Sequence, residues 1–255
     1  MPAASRERLA RADGRLQMAL EQRCCWLGHG QPVFRPRSSM SQVTGFDNRQ
    51  LLPPYFPVSR GEDRLFGQMT HYVYPESVVL DYPWAVPHLP LQEREWTANE
   101  NSYRISQSFP GLLTDDLFGT HDDCLAADPQ DRLTYLARLF EDLGLAPDAT
   151  LLNRLADTCH RHRASQMRKL QQQIGESTEL AAEWRGYLEE ALREVESSQL
   201  KEIRLDTLEG TIGDLQGQAL LNFWKDAWRG FGRALPAWQE IREAAAGIVA
   251  KSFSA

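Results

Sequence analysis

"DPQDRLTYLARLFEDLG" (Asp128–Gly144) is the stretch on which the fold class turns. It opens with an aspartate suited to cap a helix, then a proline whose fixed φ and missing N–H fit the first helical position. Leu133, Leu136, Leu139, Phe140 and Leu143 follow at spacings of three and four, which lays one apolar stripe along a helix. Gly144 reads as the stop. A capped helix with one apolar face needs something to pack against, so the surrounding sequence must supply partners.

Downstream the same grammar repeats. "DATLLNRLADTCHRHRASQMRKLQQQIG" (Asp148–Gly175) reads as a second helix, with Asp148 as cap and Gly175 as stop. A third helix is expected after Ser177, a fourth over about Thr207 to Leu235, and a short last one from Pro236. No fixed-period repeat is visible, which argues against a solenoid. Residues 126–255 are therefore expected to form an all-α helical bundle.

Upstream the character changes. Residues 1–125 hold most of the prolines and several short β-prone runs. "PVF" (Pro32–Phe34), "SQVTG" (Ser41–Gly45) and "SVVLDY" (Ser77–Tyr82) are candidate strands, bounded by Pro or Gly. This half reads as α/β with long ordered loops. The change near Asp128 sets the expected boundary.

With 255 residues the chain can bury a sizeable core in one large domain or two small ones. A formal net charge of -7 argues against a dedicated nucleic-acid binder, which usually shows a basic face. The first 25 residues mix charge with apolar residues at helical spacing and do not resemble a signal peptide. No apolar run approaches the ~20 residues that span a bilayer. The expectation is a cytoplasmic protein without a membrane span. Cys24, Cys25, Cys124 and Cys159 lack the spacing of a zinc site, and a disulfide framework does not suit a chain of this kind. They read as buried thiols.

Several clusters invite chemistry. In "CHRHR" (Cys159–Arg163), His160 and His162 lie about 200° apart on a helix and cannot chelate one ion together. Trp224 and Trp228, four apart, share a helix side and read as packing residues. "TDDLFGTHDD" (Thr114–Asp123) concentrates four aspartates and His121, a donor set that suits a divalent ion; a metal-dependent hydrolase is one reading of it, a polar loop the other.

A further motif pair lies in "TGFDNRQLLPPYFPVSRGEDRLFG" (Thr44–Gly67). The tetrapeptide Arg60-Gly61-Glu62-Asp63 is either an acidic helix start or a presented carboxylate. "GFD" (Gly45–Asp47) followed across a Pro-rich loop by "RGED" resembles the acceptor-side half of family-2-like glycosyltransferases with the GT-A fold. The resemblance spans roughly residues 40 to 90, about one fifth of the chain. It implies a partial GT-A-like α/β region in residues 1–125, with Asp63 as general base toward an acceptor hydroxyl and Glu62 beside it. Arg60 would neutralise phosphate or hold that carboxylate ionised, and Asp47 would belong to the substrate side. In "DYPWAVPHLP" (Asp81–Pro90), Trp84 would stack on a sugar face and His88 would help hold a divalent ion, Mn or Mg. The alternative for both is plain packing in a Pro-stiffened loop.

Such enzymes carry a donor-binding half with an Asp-x-Asp pair before the Glu-Asp motif. Here the acidic residues ahead of it are Glu7, Asp13, Glu21 and Asp47, with no such pair. The expected partners are thus a nucleotide sugar, a hydroxyl acceptor and a further segment or chain supplying the donor site. The other class of reading is a non-catalytic interaction module that docks through its helical half.

Overall fold

The computed structural model describes residues 31–35, 44–58, 61–84, 126–176, 182–198, 204 and 212–252. In chain order they form β1 (Val33–Arg35), α1 (Glu62–Val73), β2 (Val79–Asp81), α2 (Pro129–Leu145), α3 (Asp148–Gly175) and α4 (Ala182–Ser198). Then come α5 (Gly217–Ala234), a 3₁₀ turn (Leu235–Ala237) and α6 (Trp238–Ser252). From Pro129 onward the described elements are helical, as the caps and stripes predict. Two of the three expected strands are present, β1 and β2, which pair antiparallel with Phe34 opposite Leu80. Thr44 and Gly45, the described end of the third, lie in irregular chain. Among the described residues that small sheet is all the strand structure there is, so the larger α/β region implied by the resemblance is not on view.

Two compact units divide the chain. The larger comprises residues 31–82, 107–158 and 203–255. Its centre is the antiparallel pair α2 and α5. Asp128 caps α2 as expected, its Oδ1 accepting from the backbone N–H of Gln130 at 2.7 Å and of Asp131 at 3.3 Å. Leu133, Leu136, Phe140 and Leu143 are buried, together with Leu221, Trp224, Trp228 and Phe231 from α5. Glycine sets how closely the two axes approach. A Cβ on Gly232 would sit 2.7 Å from the Ala137 carbonyl oxygen, and one on Gly144 would sit 2.7 Å from that of Lys225. Gly144 is therefore inside the helix as a packing notch, a correction to its reading as a stop.

Two other helix ends also differ from expectation. Asp148 lies within α3, and Pro147 takes the cap position: its carbonyl accepts from the backbone N–H of Leu151 at 3.1 Å. The Asp148 carboxylate instead reaches α5, accepting from Lys225 Nζ at 2.7 Å and Gln218 Nε2 at 2.9 Å. The single fourth helix expected from about Thr207 to Leu235 is interrupted: residues 212–216 are not helical, Gly213 and Gly217 take positive φ of 55° and 53°, and α5 starts at Gly217, while Thr207 itself lies outside the described residues.

In the smaller unit, residues 1–30, 83–106 and 159–202, the described helices are the rest of α3 and α4. Leu170, Leu188, Ala191 and Val195 form its buried cluster, flanked by Met167, Ile174, Trp184 and Tyr187. Cys159 is a buried thiol, as expected; the other cysteines lie outside the described residues. Among the described residues no helix is long and apolar enough to cross a membrane.

Candidate functional site

The acidic tetrapeptide does open a helix. Gly61 caps α1 at φ 101°, a left-handed conformation that costs other residues a steric penalty. The backbone turns sharply there, and Glu62 and Asp63 occupy the first helical turn, both half-buried. Carboxylates are favoured in a first turn by the helix dipole, by about 0.3–1 kcal/mol each. No side chain caps this end. Leu65, Phe66, Met69, Tyr72 and Val73 bury the opposite stripe of α1, which fixes the face that the acidic turn presents.

Aromatic side chains tie the two motifs together. Phe66 of α1 lies between two rings: Tyr55 stacks on it at 4.2 Å with the planes 5° apart, and Phe46 meets it edge-on at 5.0 Å. Phe46 belongs to the "GFD" motif and Tyr55 to the Pro-rich loop, so loop, turn and helix start share one anchor. Phe56, the next residue, points into the helical core, stacking over Phe140 and Trp224 and meeting Phe231 edge-on at 5.1 Å. Arg132 fastens the other end of α1: its Nη1 donates to the Tyr72 carbonyl at 2.9 Å.

Of the remaining candidates, Asp47 and Trp84 are among the described residues. The Asp47 carboxylate faces Arg49, accepting from its Nε and Nη2 at 2.8 Å each and from its backbone N–H at 3.1 Å. Those hydrogen bonds hold the Asp47 carboxyl down at about 2. Its lone pairs serve its own turn first. Trp84 is 57% exposed and falls in the smaller unit. Arg60, His88 and the whole of Thr114–Asp123 lie outside the described residues. Among the described residues no group of three or more His, Cys, Asp or Glu side chains is set to hold a metal.

The sequence motifs do not point to a polar cleft in the larger unit, lined by Asn48, Gln50, Tyr74, Gln130, Trp238 and Arg242 among others. Its residues come from four separate segments, and none carries a motif of its own. The one local signal is "DNRQ" (Asp47–Gln50), a polar turn directly after the Gly-Phe step. Comparison with known proteins finds no matching family model, no matching curated protein and no matching solved structure.

Proposed function

We propose that this chain is the acceptor-side portion of a glycosyltransferase-like protein, acting with a donor-binding segment or partner on a nucleotide sugar. The observation that carries the reading is the Phe46–Phe66–Tyr55 stack. It holds the "GFD" turn and the Glu62-Asp63 helix start as one rigid piece, although the motifs are separated by a Pro-rich loop. A general base must be held in place and remain accessible, and a half-buried carboxylate on a fixed helix start meets both needs.

In the proposed reaction the acceptor hydroxyl oxygen bonds to the anomeric carbon as its proton passes to the Asp63 carboxylate. The bond from that carbon to the diphosphate oxygen breaks, and the nucleoside diphosphate leaves with the electron pair. Glu62 lies beside Asp63, and Arg60 provides a cation for phosphate or carboxylate. A divalent ion, Mn or Mg, would supply charge neutralisation on the diphosphate, with His88 as its candidate ligand.

The test is Asp63→Asn in the chain co-expressed with the coding region directly upstream, assayed for transfer from a panel of nucleotide sugars. Turnover is expected to fall by about two to four orders of magnitude while the melting temperature stays put. Lower stability with intact turnover would make the motif a helix start and nothing more.

One observation favours the non-catalytic alternative. Beyond Ile241 the described side chains of α6 are largely exposed, with Ile241 and Ile248 seven residues apart on one helix face. Docking through that face would leave Asp63→Asn without effect on the partner.

A further inference from the structure

A cleft of about 970 Å³ lies at the far end of α1 from the acidic turn. It is bounded by the Asn48–Leu51 turn, the start of α2 and one side of α6. Tyr74, which lines it, follows α1 directly. Twelve helical residues at about 1.5 Å each put it roughly 18 Å from Glu62. The cleft is thus a separate place from the proposed base, and its ligand is independent of the transfer reading.

Its lining carries two arginines, Arg49 and Arg242, and two carboxylates, Asp128 and Glu243, each of them hydrogen-bonded. Arg49 is held by Asp47, and Arg242 Nη2 donates to the Asn48 carbonyl oxygen at 2.8 Å and Oδ1 at 3.0 Å. Glu243 accepts from Gln239 Nε2 at 3.0 Å, and Asp128 is engaged as the cap of α2. With two cations and two carboxylates the lining has no net formal charge, so it favours neither an anion nor a cation. What remains on offer is neutral hydrogen bonding. Gln130 donates through Nε2 to the Pro236 carbonyl at 3.3 Å, while its buried Oε1 accepts nothing within the protein. Buried acceptors left unpaired are costly and rare. Burial also raises the Tyr74 phenol, which keeps it a neutral donor or acceptor. The Trp238 indole is fixed as a wall by its Nε1 donating to the Leu52 carbonyl at 2.7 Å.

We infer that this cleft binds a neutral polyhydroxylated ligand, a saccharide chain, with Trp238 as the stacking wall and Asn48, Gln50, Gln130 and Gln239 pairing with hydroxyls. Each primary amide offers donors beside an acceptor, which matches neighbouring hydroxyl groups. A fixed indole covers the apolar C–H face of a sugar. The size is at the upper end of small-molecule sites, which suits several linked rings better than one. No strand edge among the described lining residues is available to add a peptide backbone.

The experiment titrates the full chain with maltopentaose, cellopentaose and mannopentaose, and in parallel with a neutral Gly-Ser-Asn peptide. Binding is followed by calorimetry and by the indole N–H resonance of Trp238. At least one saccharide is expected to bind saturably and shift that resonance, and Trp238→Ala should weaken it by about tenfold or more. Because Trp238 also anchors α6, the double variant Gln50→Ala/Gln239→Ala, on exposed side chains, provides a second test and should weaken binding several-fold. The inference is overturned if none of the three saccharides binds, if only the peptide does, or if both variants bind as the parent does. None of these outcomes touches the Asp63 test, which reads transfer.

Discussion

Tyr55 and Phe56 are adjacent in the chain and serve two different regions. Tyr55 turns to α1 and stacks on Phe66, where it remains 42% exposed. Phe56 turns to the α2–α5 pair and is 3% exposed among three aromatic rings. One region is a partly open platform under an acidic helix start. The other is a close-packed core. Prolines at positions 53, 54 and 57 restrict the backbone around both side chains, so the entropy lost in holding them apart is small. The contrast separates what holds the protein together from what it presents to solvent.

The largest expected effect breaks the core side of that contrast. Phe56→Ala removes a ring with almost no exposure, and the site is too crowded to collapse fully; unfolding in denaturant should show a loss of about 3–5 kcal/mol. Tyr55→Ala removes a comparable ring from the open platform, where the stacking itself is worth about 0.5–1.5 kcal/mol. On the proposed reading the second variant should lose turnover out of proportion to stability, since it loosens the acidic turn. Equal losses of stability from both would mean that the two regions are one.

A smaller effect tests the close approach of α2 and α5 with the same substitution made twice. Gly232→Ala drives a methyl group into the Ala137 carbonyl and should cost about 1–3 kcal/mol. Gly230→Ala, two residues earlier in α5, meets nothing within 4 Å and should be neutral or stabilise by about 0.4–1 kcal/mol. Thermal melts of the two variants distinguish a true packing notch from a mere helix-propensity effect, which would move both the same way.

Legibility in the sequence depends on where each signal resides. The Asp128 cap, the Pro129 start and the Leu133–Leu143 stripe are local patterns, and they appear as read. Gly144 misleads because a glycine near a helix end signals termination locally, whereas its use depends on α5, some eighty residues away. The expected unbroken helix from about Thr207 to Leu235 fails at residues 212–216 because apolar spacing alone carries no sign of the breaks at Gly213 and Gly217. The helix start at Glu62 is foreseeable from Gly61 and the acidic pair, but its anchoring on Phe46 and Tyr55 is not: no spacing rule joins residues 46, 55 and 66. The Trp238 cleft is hidden for the same reason, being assembled from four distant segments.

Asp148, like Gly144, is a local signal overruled by a distant partner, and it allows the finest test. Read as a cap, its carboxylate would serve the N-terminus of α3; in the structure Lys225 and Gln218 of α5 claim it. The hydrogen bond from Lys225, then that from Gln218, holds its carboxyl below the ordinary aspartate value. A folded-state value lower than the unfolded one contributes stability that is present above the unfolded value, about 3.9, and lost as pH falls through the folded one. The Lys225 and Asp148 side chains are 20% and 40% exposed, so solvent screens the pair and its worth stays within about 1 kcal/mol. Melting temperature should therefore fall as pH drops from about 5 toward 2, and Lys225→Met should flatten part of that fall while changing little at neutral pH. A capping carboxylate behaves differently. Its depressed value would come from the backbone N–H groups of α3, which Lys225→Met leaves in place, and the acid limb would keep its full slope.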